Sequence, residues 1–382
     1  MSENMNSWFR GDKRDSRLTR CRILFLVGEL VAGGQEQQLV YLLQEMDRQE
    51  YRPGLVVWNY RESDVNVPKV QTLGVPIWGY PVEASSRQKL YYLMRLARSL
   101  SVEVVHSYGF YTNFAAFCGA RAAGAVGLGS VQNEIDAPMF IKKRPVIGRL
   151  SASLPRLQIS NSHAAAKRIM ARGKWFAPGR LIIVTNPIDL TRFQGEPVPM
   201  TLPHIILGVG RLVPSKRWDR LLKIAYELKR LKIPVLVQIA GEGPTRGELE
   251  TLAFKLGIAD TVIFLGYQTD VSALIAKARL VVHTSDAEGL PNVLMEALAA
   301  GRPVVATDAG DTGTLINNGK TGFLVRCDDE ETMLARIVDL ITNDDLARRM
   351  GQAAAEYAQR EFGMSRPLQQ VFDAYTSAGW RP

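Results

Sequence analysis

The stretch ARLVVHTSDAEGLPNVLMEALAAGRPVVATDAG, from Ala278 to Gly310, changes its hydrophobic period as it runs. ARLVVHTS is a short apolar run that reads as a buried strand ending at His283 or Thr284. NVLMEALAAG has helical spacing and stops at Gly301, a natural C-terminal cap. Pro291 suits the first helical position, where an N–H would have no intrahelical partner. The stretch therefore reads as strand, tight loop, helix. Glu288 falls in the loop, and Glu296 falls about two turns into the helix. An acid near a helix N-terminus is stabilised by the helix dipole, and an acid in mid-helix usually faces solvent. Neither glutamate alone calls for more than that.

The same alternation runs through the chain. RILFLVG, GLVVW, VEVVHS, GLGSVQ, RLQIS and LIIVT precede HIILGVG, PVLVQIAG, TVIFLG and RLVVHT, with helical patterns between them. Runs that are apolar on both faces imply parallel strands covered on two sides, hence a doubly wound α/β architecture. The series restarts after FQGEPVPMTLP, residues 193–203, whose three prolines and one glycine read as a linker. Two α/β domains are expected, at 22–195 and 196–364, facing a central cleft where a ligand would sit. Residues 1–21 read as a disordered lead-in without a secretory h-region. A last helical stretch within 365–382 is expected to cross back onto the first domain.

The 382 residues are 46% hydrophobic and 22% charged, with mean hydropathy −0.05, which suits a globular protein and not an integral membrane one. Cys21, Cys118 and Cys327 are scattered and form no disulfide or metal pattern, so a cytoplasmic location is expected. The net charge of +9 is unevenly spread, because no acidic residue occurs between Asp136 and Asp189. The basic residues within 141–180 interleave with apolar ones in MFIKKRPVIGRLSASL, as in an interfacial helix, so peripheral contact with an anionic membrane is expected. No recognised nucleic-acid module accompanies this charge.

Three loops carry candidate chemistry. Gly33 and Gly34 precede a helix starting near Gln35, where backbone N–H groups can face an anion. The loop is neither GxGxxG nor a P-loop, so no nicotinamide cofactor is expected. After HIILGVG, Arg211 ends a strand and Lys216 starts a helix; two such cations suit a diphosphate. AGEGPTRGELE and GYQTDVSALIAKA repeat the strand, turn and helix layout.

The order of these motifs resembles the retaining glycosyltransferases of family 4, which have the GT-B fold. The motifs are GGQE, GRLVPSKRWDRLL, GEGPTRGELE, FLGYQTDVSALIAKARLVVHTS, EGLPNVLMEALAAGRPVVATDAG and NGKTGFLV. The likeness covers nearly all of the chain from Arg22 and is most specific from Val209 to Val325. It implies a retaining transfer of sugar from a nucleotide-diphosphate sugar, UDP- or GDP-linked, to a glycan or lipid-linked acceptor, with no metal and no other cofactor. Glu288 and Glu296 would form the family's E-x7-E motif, Glu288 on donor-sugar hydroxyls and Glu296 on the ribose. Gly289, Leu290 and Asn292 would offer backbone amides, and Arg211, Lys216 and the neighbouring Gly210 would hold the diphosphate. Tyr267 would border the nucleobase, Gly33 and Gly34 would close on the phosphates, and His106 would stand near the transferring sugar. His106 alone also reads as a satisfied strand-end residue. Two places depart from the family pattern: Lys216-Arg217 replaces a common Lys-Gly, and DAGDTGTLINNG replaces a glycine-glycine-acid pattern. Alternatives are another GT-B enzyme, such as a nucleotide-sugar epimerase, and a catalytically silent nucleotide-sugar-binding subunit.

Overall fold

Ile23–Val27 is apolar at every position, so neither face of this strand tolerates water, and all five residues are buried. Ile23, Phe25 and Val27 enter one apolar cluster, while Leu24 and Leu26 enter another on the opposite face. The computed structural model describes residues 21–31, 33–132, 142–171, 173, 177–195, 197–363 and 365–382. The expected lead-in thus lies almost wholly outside the described residues.

The chain divides into two compact units, residues 1–187 with 364–382, and residues 188–363. In the first, strands β1 (Ile23–Val27), β2 (Pro53–Val57), β3 (Ile77–Gly79), β4 (Val104–Ser107), β5 (Val126–Ser130), β6 (Leu157–Ser160) and β7 (Arg180–Ile183) form one sheet. Their order is β3-β2-β1-β4-β5-β6-β7, and every pairing is parallel. In the second unit, β8 (His204–Val209), β9 (Val235–Ala240), β10 (Val262–Gly266), β11 (Leu280–His283), β12 (Val304–Thr307) and β13 (Gly322–Val325) follow the order β10-β9-β8-β11-β12-β13, again all parallel. Both are doubly wound sheets, as the alternation predicts, and two such units are what the resemblance to a GT-B family implies. Each winds outward one way and then the other, so the switch points lie between β1 and β4 and between β8 and β11. Loops at the carboxyl ends of those strands are where such sheets bind ligands.

The strands β3, β12 and β13 carry no long apolar run, and the alternation read from sequence passes over them. β3 is a half-buried edge of three residues, and β12 follows its helix after only residues 300–303.

Residues 193–203 look like a linker by composition, yet they are fixed to the second unit. Arg302, fully buried, donates from Nη1 to the Pro197 carbonyl at 3.0 Å, and Arg279, also fully buried, donates to the Pro199 carbonyl at 3.3 Å. The same guanidiniums take helix-end carbonyls: Arg302 those of Ile275 and Ala276, Arg279 that of Leu340. A buried arginine is tolerable only with its donors so occupied. The unit boundary accordingly falls at Pro187, ahead of the prolines.

Helix Ser365–Ser377 packs in the first unit, where Val371, Ala374, Tyr375 and Trp380 share a core with Ile23, Phe25 and Val104. Trp380 Nε1 donates to Glu103 at 2.9 Å, and the Arg22 guanidinium, paired with the same carboxylate, sits over the indole ring.

Candidate functional site

At the switch point of the second unit the loops after β8 and β11 meet. β8 ends at Val209, and Gly210 and Arg211 lead into a single 3-10 turn, Pro214–Lys216, before helix Trp218–Arg230. Trp218 Nε1 donates to the Arg211 carbonyl at 3.0 Å, and a Cβ on Gly210 would stand 3.3 Å from the same indole. The glycine lets backbone lie on the ring. From the other side, β11 delivers His283, Thr284 and Ser285; Thr284 donates to the Lys216 carbonyl at 2.8 Å, and the Asp286 N–H donates to the Ser215 carbonyl at 2.9 Å.

These ties bring Glu288 and Lys216 together as an ion pair between side chains only 12% and 19% exposed. Three donors converge on one oxygen of Glu288. Lys216 Nζ, His283 Nε2 (3.0 Å) and Ser285 Oγ (2.6 Å) all reach Oε1. Oε2 has no partner among the described residues. The carboxylate is therefore anchored by one oxygen and offers the other as an open acceptor. Burial works against its ionisation, but the His283 hydrogen bond and the Lys216 charge prevail and hold the carboxyl well below the usual carboxylate range. Burial also lowers the pKa of His283, so the ring is neutral, donates through Nε2 and leaves Nδ1 without a partner.

Glu296 is the fifth residue of helix Asn292–Ala299, which makes it about one turn in, not two. Pro291 is the N-cap, one position earlier than expected. The helix begins directly after Gly289, Leu290 and Pro291, with Asn292 as its first residue. The Glu296 carboxyl is partly buried, makes no hydrogen bond with a described residue, and is pushed up to about 7 by desolvation, which Arg192 only partly offsets. It shares a proton near neutrality, whereas Glu288 is fully ionised.

Arg211 is exposed and its guanidinium has no ion-pair partner among the described residues. Its neighbours are occupied: Arg217 pairs with Asp219 (2.9 Å) and Asp286 (3.0 Å), and Arg220 with Asp286 (2.6 Å). Tyr267 is exposed just past β10, two strands from β8, following Gly266 in the left-handed conformation (φ +70°).

Arg217 stands at φ +51°, so the conformation that a glycine would adopt freely is reached with an arginine. In the other departure from pattern, Gly310 (φ +58°) comes so close to the Glu288 loop that a Cβ would lie 2.0 Å from the Glu288 carbonyl oxygen. The Asp311 N–H donates to the Gly289 carbonyl at 3.1 Å, so the two loops are stitched together.

In the first unit, Gly33 is the extended N-cap of helix Gly34–Glu45, and both glycines are exposed. The Gln35 side-chain amide donates to the Tyr108 carbonyl, tying this helix start to the loop after β4. His106 lies deeper, 1% exposed. Its Nδ1 meets the Tyr375 hydroxyl at 2.8 Å and its Nε2 the Ser130 hydroxyl at 3.3 Å, while burial lowers its pKa to about 3. The structure gives His106 the satisfied, neutral strand-end placement and no free nitrogen for chemistry.

His283, Ser285, Arg220 and Gly310 were not singled out from sequence. The signal for the first two was present: polar residues closing the buried run VVHTS, three and five positions before Glu288.

Comparison with known proteins bears on both units. Glycosyltransferase Family 4 matches residues 32–192, and Glycosyl transferases group 1 matches residues 196–357. A D-inositol 3-phosphate glycosyltransferase of Streptomyces coelicolor is 36% identical over 234 residues, 53% of this chain and 51% of that one. The chain spans about half the length of the curated relatives it matches. Among solved structures, that of Anabaena Alr3699/HepE in complex with UDP aligns with TM-score 0.80 at 20% identity, over 93% of this chain and 100% of that one. The lipopolysaccharide outer core galactosyltransferase WaaB in apo form aligns with TM-score 0.73 at 16% identity, over 93% and 99%.

Proposed function

The chain belongs to the glycosyltransferases of family 4 and group 1, and from that we propose that it transfers a sugar from a nucleotide-diphosphate sugar to an acceptor hydroxyl with retention of anomeric configuration. The observation that carries the reading is Glu288, anchored through Oε1 by three donors with Oε2 left open at the switch point of the second sheet. An ionised carboxylate held in one orientation is an acceptor for a neutral sugar hydroxyl. It needs no nucleophilic role.

Arg211 and Lys216 take the diphosphate, arginine as a planar fork and lysine as a point charge, and stabilise the charge that grows on it as the glycosidic bond breaks. Their number and charge supply what the leaving group needs, so no metal is invoked. The acceptor attacks from the face the leaving group departs, and the leaving phosphate takes the acceptor proton. Gly210, Gly289, Leu290 and Asn292 present backbone to the donor, Tyr267 flanks the base, and Gly33 and Gly34 approach the phosphates. Glu296, close to half-protonated at neutral pH, can both accept from and donate to a ribose diol. His106 is given no part in the chemistry, because both ring nitrogens are taken.

UDP is the nucleotide bound in the HepE structure, and UDP- or GDP-sugars are the donors proposed here. The acceptor is a glycan or lipid-linked molecule of polysaccharide, lipopolysaccharide or glycolipid assembly, in line with the lipopolysaccharide role named for WaaB. Helix Pro145–Ser153 supports a membrane-side location. Its start exposes Val146 (72%) and Ile147 (36%), between exposed Lys142, Lys143 and Arg144 on one side and Arg149 on the other. No described helix is long and apolar enough to cross a bilayer, so the contact proposed is peripheral. Arg172 and Lys174 of the basic interval lie outside the described residues.

The test is thermal shift of the purified chain against UDP, GDP, ADP and dTDP and their sugar conjugates. A ligand at 100 times its dissociation constant adds about 2.7 kcal/mol. One nucleotide raising the melting temperature, with its sugar form raising it further, is the expected result. No shift with any of them overturns the donor assignment.

A further inference from the structure

At the β7 edge of the first sheet, the starts of β5, β6 and β7 border an open surface hollow of about 610 Å³. Its lining combines apolar Phe117, Leu154 and Leu157 with three arginines, Arg121, Arg156 and Arg180. All three are exposed, and none makes an ion pair among the described residues. No carboxylate lines the hollow. The segment that supplies Arg156 and Arg180 contributes none, since residues 137–188 contain no acid. Other arginines of the chain do have carboxylate partners, as in Arg22–Glu103, Arg246–Glu250 and Arg279–Asp344. Three like charges gathered without a counter-charge repel one another, and an anion between them relieves that cost. Guanidinium forks suit phosphate oxygens, and apolar lining suits hydrocarbon next to them.

The geometry points to a seat for the phosphate headgroup of an anionic phospholipid, with Arg121, Arg156 and Arg180 on the phosphate and Phe117, Leu154 and Leu157 against the glycerol and upper acyl chains. Leu154 closes helix Pro145–Ser153, whose other end exposes Val146 and Ile147. One short helix, about 14 Å long, thus connects the hollow to the exposed apolar start. The inference rests on the peripheral-membrane reading above and gives it a defined site in place of diffuse charge.

The experiment is sedimentation of the full chain with phosphatidylcholine vesicles, with and without phosphatidylglycerol, for wild type and for Arg156→Lys/Arg180→Lys. The variant keeps the charge and loses the forks, so diffuse attraction is unchanged while a built phosphate seat is weakened. Expected is binding only to the phosphatidylglycerol vesicles, with affinity roughly tenfold lower in the variant. Equal binding by wild type and variant overturns the seat and leaves the peripheral contact standing. No wild-type binding to either vesicle removes both. A melting-temperature rise with soluble glycerol 3-phosphate, absent in the variant and without vesicle binding, would reassign the hollow to a free phosphate and overturn the lipid occupant. Unchanged melting temperature of the variant without ligand keeps the comparison free of folding effects.

Discussion

Glu288 and Glu296 are two carboxyls of one motif with opposite proton affinities, and this separates what each can do. Glu288→Gln keeps the shape and removes the charge that Lys216, His283 and Ser285 are arranged around; turnover should fall about 100-fold or more, and a variant near wild-type rate would remove Glu288 from the site. His283→Ala takes one donor from Oε1, so the Glu288 pKa rises and the acid limb of the pH–rate profile moves to higher pH; an unmoved limb would make His283 a packing residue only. In stability the two acids have opposite signs. The ionised Glu288 contributes above its ordinary 4.5 and the contribution is lost as pH falls below that. Glu296, raised from 4.5 to about 7, contributes fully below 4.5 and the contribution is lost as pH rises through 7. Melting temperature should therefore include a component that declines between about pH 4.5 and 7, and Glu296→Gln should flatten it; an identical slope in the variant would mean that Glu296 titrates normally. The spacing of the two acids was legible in the sequence. Their proton affinities were not, because these depend on burial and, for Glu288, on Lys216, which comes near only once β11 is placed beside β8.

At the scale of elements, the site hangs on turns that confine backbone. Arg217 at φ +51° bears roughly 1 kcal/mol of left-handed cost, and its half-exposed pairs with Asp219 and Asp286 return up to about 1 kcal/mol each. Arg217→Gly removes both, so stability should change by less than about 1 kcal/mol in denaturant titration; a larger loss would show that the pairs hold the loop. Gly310→Ala is different. A Cβ 2.0 Å from the Glu288 carbonyl oxygen must push the loop away, and the left-handed φ adds strain. Nucleotide-sugar turnover should fall more than tenfold while free-nucleotide affinity changes less; equal losses in both would point to general unfolding. The sequence reading recovered ten strands because each centres on a mostly apolar run, even where a polar residue such as Gln158 or Gln238 interrupts it. It passed over β3, β12 and β13, which are three or four residues long and merge with neighbouring turns. It took 193–203 for a linker because proline content says nothing of Arg279 and Arg302, more than seventy residues away in sequence, waiting for those carbonyls.

At the scale of the molecule, the second unit is one unbroken stretch, residues 188–363, whereas the first is assembled from both ends of the chain. Deleting residues 364–382 uncovers the core around Ile23, Phe25 and Val104 and leaves His106 without its Tyr375 partner, so the truncated chain should be insoluble or lack a cooperative melt; a normal melt would show the last helix to be dispensable. The Ile188 N–H donates to the Phe362 carbonyl at 3.1 Å, so the two ends of the second unit lie side by side. Such an insertion carries a consequence for synthesis. During translation the second unit can close as soon as Gly363 has left the ribosome, while the first holds its opening strands unfinished until Trp380 has emerged. The half made first is the half completed last.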